Sequence, residues 1–134
     1  MKKTVYIMAA MLALSLTMAA AVFAWSSTAT LLTDASDNAT VGNIWQPMNT
    51  YKTWGCDVRV SGGSPSVVSV CLQGNEGGED LWDLVCHSMT NTELTNRIGG
   101  FSVDGVPARK LRGKLVTLTG GTAVKVSLKC TGSD

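Results

Sequence analysis

The sequence predicts an all-β protein: an antiparallel β-sandwich, jelly-roll-like, held by two disulfides after a cleaved signal peptide. Three observations carry this. Short runs of β-branched residues recur between clusters of Gly, Pro, Asn, Asp and Ser. Several runs alternate apolar and polar residues with the two-residue period of a half-buried strand. Four cysteines, an even number, all lie beyond an apolar N-terminal segment typical of export.

The N-terminal segment comes first. Lys2 and Lys3 supply a positive start, and Val5 to Ala24 is almost entirely apolar. Val22 and Ala24 stand at minus three and minus one of a signal-peptidase site, so cleavage leaves Trp25 as the first mature residue. An uncleaved anchor is the alternative, because a spanning helix needs only about 20 apolar residues. The division is therefore a signal peptide over 1–24 and one domain over 25–134, exported through the periplasm to the cell surface or medium of a bacterium. Contact with membrane is limited to the signal segment. The leader lacks the Gly before the cleaved bond and the Glu five residues on that mark prepilins, so the chain brings no pilin core helix.

About 110 mature residues make one domain with a modest core, small enough for cross-links to matter. Without Lys2 and Lys3, nine basic residues face ten acidic ones. That balance argues against nucleic acid, which demands a basic surface.

The elements follow in order. Thr28 to Thr33 reads as a first strand, and Asp34 to Asn38 as a loop. Trp45 to Trp54, interrupted by Pro47, reads as an irregular stretch that packs aromatics. Cys56 to Ser61 alternates, with Cys56, Val58 and Val60 on one face and Asp57 and Arg59 on the other. Gly62-Gly63-Ser64-Pro65 is a turn, and Ser66 to Gln73 a strand apolar on both faces, so these two strands read as a hairpin. Gly74 to Asp80 is an acidic turn before a strand from Leu81 to His87. A short helix over Thr92 to Arg97, or a loop, precedes a strand at Phe101 to Val103. Lys110 to Thr119 places Leu111 and Leu115 opposite Arg112 and Lys114. After Gly120-Gly121, the run Thr122 to Cys130 aligns Val124, Val126, Leu128 and Cys130 on one face, and a one-residue slip would bury Lys125 and Lys129. Seven or eight strands result.

Cys56, Cys71, Cys86 and Cys130 allow three pairings. Cys71 and Cys86 are symmetric about the acidic turn, which favours Cys71–Cys86 with Cys56–Cys130. Cys56 and Cys71 are equally symmetric about Gly63–Ser64, so Cys56–Cys71 with Cys86–Cys130 stays open. Zinc is disfavoured by the wide spacings and the single histidine.

No catalytic constellation stands out, and a non-enzymatic role is expected. His87 is the one histidine, with no recognisable nucleophile motif around it. Glu76, Glu79 and Asp80 could hold calcium, as hard oxygen ligands in a Gly-rich loop, although no EF-hand spacing is present; the Asp34, Asp37, Asn38 loop is a second candidate. Trp45, Tyr51, Trp54 and Trp82 could stack on sugar rings or fill the core. Asn38-Ala-Thr40 matches a glycosylation acceptor by chance composition. Acidic residues gather between Glu76 and Glu93, and basic residues (Arg109, Lys110, Arg112, Lys114, Lys125, Lys129) in the last two strands. Such a split suits head-to-tail assembly, or else the two segments are simply neighbours.

Four segments carry a resemblance. Val67 to Gly74, Asp80-Leu-Trp82-Asp-Leu84, Gly105-Val-Pro-Ala-Arg-Lys-Leu-Arg112 and Gly120-Gly-Thr-Ala-Val-Lys-Val126 are similar to discoidin-like jelly rolls and to small phage virion and decoration proteins. In that pattern a hairpin ends in Gly, an Asp precedes a Trp, an Arg marks a late strand, and a Gly-Gly-Thr turn feeds the last strand. The similarity spans roughly residues 56 to 130; the cysteines and leader depart from it. The length, leader and missing pilin helix also resemble the geopilin domain 2 type, a separately secreted β-rich head of a split type IV pilin. Together these imply a structural subunit of an extracellular, pilus-like filament, with a short helical pilin as partner and contacts through Trp25, Trp45, Trp54, Arg109, Lys110 and Arg112. A secreted carbohydrate-binding module is the alternative.

Overall fold

The computed structural model describes residues 26–133; the signal peptide over 1–24 and the contact residue Trp25 lie outside the described residues. Seven strands and one short helix follow in the order β1 (Ser26–Ala35), β2 (Thr53–Ser61), β3 (Val67–Asn75), β4 (Trp82–Ser88), α1 (Asn91–Asn96), β5 (Ile98–Val103), β6 (Lys110–Thr119) and β7 (Lys125–Ser133). They form a larger sheet in the order β1-β7-β2-β5 and a smaller one in the order β4-β3-β6, antiparallel throughout. Among the described residues no helix is long and apolar enough to cross a membrane.

Alternation decides which side of each strand is buried. In β2, Cys56, Val58 and Val60 point inward while Asp57 and Arg59 are exposed; β7 does the same with Val126, Leu128 and Cys130. From the smaller sheet, Val68, Val70, Leu72, Leu111 and Leu115 meet them, and Leu31 and Leu32 of β1 complete the core. Burying a side chain of this size stabilises by about 1.5–3 kcal/mol. β3, the central strand between β4 and β6, is buried on both faces from Val70 to Asn75.

The turn after β2 corrects the expected hairpin. β2 and β3 do not pair; Gly62 to Ser66 carries the chain from the larger sheet to the smaller. Both neighbours of β2 are already taken, by β7 and β5, and both of β3 by β4 and β6. The turn after β6 crosses back in the same way, and the last strand begins at Lys125 because Thr122 to Val124 belong to that crossing. The two crossings pack on each other: Gly63 N–H donates to the Thr122 carbonyl at 3.0 Å.

The hairpin β3–β4 forms as expected, and the helix is present. Thr90 caps it and Glu93 completes a capping box with Thr90. Arg97 ends it in a left-handed conformation (φ 61°). The irregular stretch 40–51 runs along the free edge of β6, touching it through isolated bridges at Val41–Lys114 and Trp45–Leu111, and touching the segment just before it at Tyr51–Ala108. It thereby shields an edge that would otherwise offer unpaired backbone groups.

Both disulfides join strands that are direct neighbours. Cys56 faces Cys130 across β2 and β7, inside the sandwich. Cys71 faces Cys86 across β3 and β4, on the outer side, where Cys86 is exposed. The alternative pairing is excluded because Cys56 points into the sandwich, where it is bonded to Cys130, while Cys71 points to the outer side of the other sheet, where it is bonded to Cys86.

Candidate functional site

The smaller sheet and the acidic turn at its end bring together Glu76, Glu79, Asp80 and Asp83 with Lys110, Arg112 and Lys114 of β6. In register across the sheet, Asp83 of β4, Gln73 of β3 and Arg112 of β6 stand side by side. Arg112 Nε donates to Gln73 Oε1 at 2.7 Å, and Gln73 Nε2 donates to Asp83 Oδ1 at 2.6 Å. Gln73 is only 6% exposed, so its amide satisfies both groups at once and relays charge complementarity across the sheet. Arg112 is thus half-buried and committed to a bond within the domain.

The acidic turn sits at the end of the same sheet. Asn75, 1% exposed, organises it from below. Its Nδ2 donates to the carbonyls of Gly78 (2.7 Å) and Asp80 (2.8 Å), and its Oδ1 accepts from Gly77 N–H at 3.2 Å. Lys110 Nζ donates to the Gly78 carbonyl at 3.2 Å. Glu76, Glu79 and Asp80 project into solvent above this frame. The acidic segment and the basic β6 are therefore neighbours in one fold. A calcium ion here would compete with an amide and an ammonium already bound to the loop carbonyls. Among the described residues the one grouping of metal-type ligands is Cys71, Asp83 and Cys86, whose sulfurs are bonded to each other.

The aromatic residues separate. Trp54 is fully buried and Tyr51 nearly so, which corrects their place in any contact or sugar-stacking surface. Trp54 packs edge-on against Trp45 (centroids 6.0 Å apart) and Tyr51 (5.6 Å), and its Nε1 donates to the Val106 carbonyl at 3.2 Å. Trp45 is half-buried against this core. Trp82, which the core reading placed inside, is 54% exposed, because it pairs with Gly74 at the free edge of β4. Arg109 is exposed and its side chain is free to meet a partner, whereas Lys110 is half-buried.

His87 stacks on Phe101 of the other sheet (5.5 Å) and its Nε2 lies 3.0 Å from Glu93 Oε1. Glu93 also accepts from Thr90 N–H (2.7 Å) and Gly100 N–H (3.2 Å). The Thr90 backbone bond, foremost among these, holds its carboxyl down to about 2. This cluster ties α1 to both sheets. Sequence reading missed the relay through Gln73 and the frame under Asn75; a buried amide in a strand leaves no local pattern.

The fold and this surface define a class: a small disulfide-stapled β-sandwich with polar outer faces. Solved structures sharing the fold include the SPBc2 prophage-derived protein YomS, 14% identical with a TM-score of 0.52, over 84% of this chain and 96% of that one. The PBSX exported protein XepA is 13% identical with a TM-score of 0.51, over 84% of this chain and 39% of that one, so the chain spans about two fifths of XepA. No protein-family model matches the chain, and no curated protein matches it in sequence. The likeness is one of fold, and at that level it agrees with the resemblance to phage proteins.

Proposed function

We propose that this protein is an exported, non-enzymatic subunit of an extracellular protein assembly. The acidic turn carries the reading. A loop of exposed carboxylates is held rigid by a buried asparagine that serves no core purpose, and rigid projecting loops lower the entropic cost of docking. Two cystines suit an oxidising compartment. The prophage origin and exported state named for the two neighbours of like fold lend support. His87 and Glu93, the closest acid–base pair, serve to anchor the helix.

The finer form of this reading is the globular head of a pilus-like filament, with a short helical pilin supplying the core. Cross-linking of the native protein followed by mass spectrometry tests both levels. Recovery of a helical pilin supports the finer form, and recovery of any other stoichiometric subunit supports the coarser one alone. Purification as an isolated enzyme with a turnover lost on His87→Ala would refute the whole.

Exposed Trp82 favours one second reading, sugar recognition through a single stacking ring. Glycan-array binding lost on Trp82→Ala would establish it.

A further inference from the structure

The outer face of the larger sheet carries a groove that none of the preceding roles uses. It has a volume of about 420 Å³ between the end of β2 and the helix terminus, with Arg59, Arg97 and Ile98 among its walls. It continues over the sheet into a hollow of about 240 Å³ that adds Asp57 and Lys129; Arg59 and Ser127 line both. Ser127, a small side chain, stands beside Arg59 across β2 and β7. Three cations thus face one carboxylate. Among the described residues, none of Arg59, Arg97 and Lys129 forms an ion pair; the Arg97 guanidinium donates to the Gly62 carbonyl. Ile98 adds an apolar wall, 54% exposed.

The complement lies on the same chain. The acidic turn presents Glu76, Glu79 and Asp80, with Trp82, also 54% exposed, at its base. The two features occupy opposite ends of the molecule. Arg59 stands near the end of β2, beside the crossing into β3; β3 then runs its nine residues away from that end to Asn75 and the turn. That separation is about 30 Å at ordinary strand rise. Unless two copies lie antiparallel and make both contacts at once, a contact joining opposite ends is heterologous and repeats head to tail.

We infer that the acidic turn of one copy seats in the arginine-lined groove of the next, with carboxylates against Arg59, Arg97 and Lys129 and Trp82 beside Ile98. This rests on the assembly reading and names the partner as a second copy of this chain. Charge complementarity sets the register, and the Asn75 frame delivers the carboxylates preorganised.

Sedimentation of the oxidised protein at low and high salt tests it, with two charge-reversed variants, E76K/E79K and R59E/R97E. The wild type is expected to form a concentration-dependent series of oligomers that salt dissolves. Each variant alone should associate at least about tenfold more weakly, and an equimolar mixture should recover association, because each supplies the half the other lacks. All substituted residues are exposed, and unchanged melting would show that the fold is intact. A wild type that stays monomeric at low salt, or variants that associate as the wild type does, overturns the proposal. In that case co-purification with a different subunit would leave the broader assembly reading standing, and its absence would remove both.

Discussion

Gly62 and Ala123 approach so closely that a β-carbon on Gly62 would stand 2.0 Å from the Ala123 carbonyl oxygen. These residues belong to the two crossings between the sheets, and Gly62 also has a φ of 86°. Gly62→Ala therefore faces both a backbone penalty and a collision, and the expected loss exceeds about 2 kcal/mol. Gly55→Ala is the matched control, because its β-carbon would meet nothing within 4 Å. Urea unfolding of the two variants should show a lowered midpoint for the first and an equal or raised one for the second.

Acid should weaken the attachment of α1 before it unfolds the sheets. The Glu93 carboxyl titrates at about 2 in the fold, against an ordinary value of 4.5. Its ionised form therefore stabilises the protein fully above about pH 4.5, and that contribution disappears as pH falls from 4.5 toward 2. Glu93→Gln should cost about 1 kcal/mol at neutral pH, the ordinary size of a lost cap, and should flatten the pH dependence across that window. Unfolding free energies measured from pH 6 to pH 2 check both effects.

The two disulfides should differ in reactivity and in weight. Cys86 is exposed on the outer face, while Cys56 and Cys130 are buried. A limiting dithiol followed by alkylation should label Cys71 and Cys86 first, as peptide mass spectrometry would show. Loop-closure entropy is larger for the bridge spanning 74 residues than for the one spanning 15, roughly 4–5 against about 3 kcal/mol. Replacing Cys56 and Cys130 together by Ala should thus lower stability more than replacing Cys71 and Cys86.

Trp54→Ala should cost about 3–5 kcal/mol, since it empties the centre of the Trp45–Trp54–Tyr51 cluster and orphans the Val106 carbonyl. Trp82→Ala should leave the melting temperature nearly unchanged. Equal effects of the two on stability would contradict the placement of these rings.

Gln73→Leu should cost about 1–3 kcal/mol, because a nearly buried amide joins Arg112 to Asp83 and both lose a partner. Arg112→Ala should cost less on its own, leaving Gln73 still bonded to Asp83. Thermal unfolding of the single and double variants would expose their coupling as a departure from additivity.

The sequence by itself determined the local properties. The faces of β2 and β7 were legible in Cys56, Val58, Val60 and in Val126, Leu128, Cys130, because side-chain direction in a strand follows a period of two. The β3–β4 hairpin, a short helix or loop near Thr92 to Arg97 and the even cysteine count were legible for the same local reason, whereas the Thr90–Glu93 capping box emerged only in the structure. Tertiary structure alone decided which strands neighbour one another. A Gly-rich turn encodes reversal of the chain, and whether the next strand stays in its sheet depends on which edges are already paired. Hence Gly62 to Ser66 crosses between sheets, Cys56 meets Cys130, and Trp82 emerges at an edge while Trp54 is enclosed. The bonds joining Arg112, Gln73 and Asp83, and the distance between the acidic turn and the arginine groove, likewise exist only once the sheets are assembled. Such contacts link residues far apart in sequence, and no local periodicity records them.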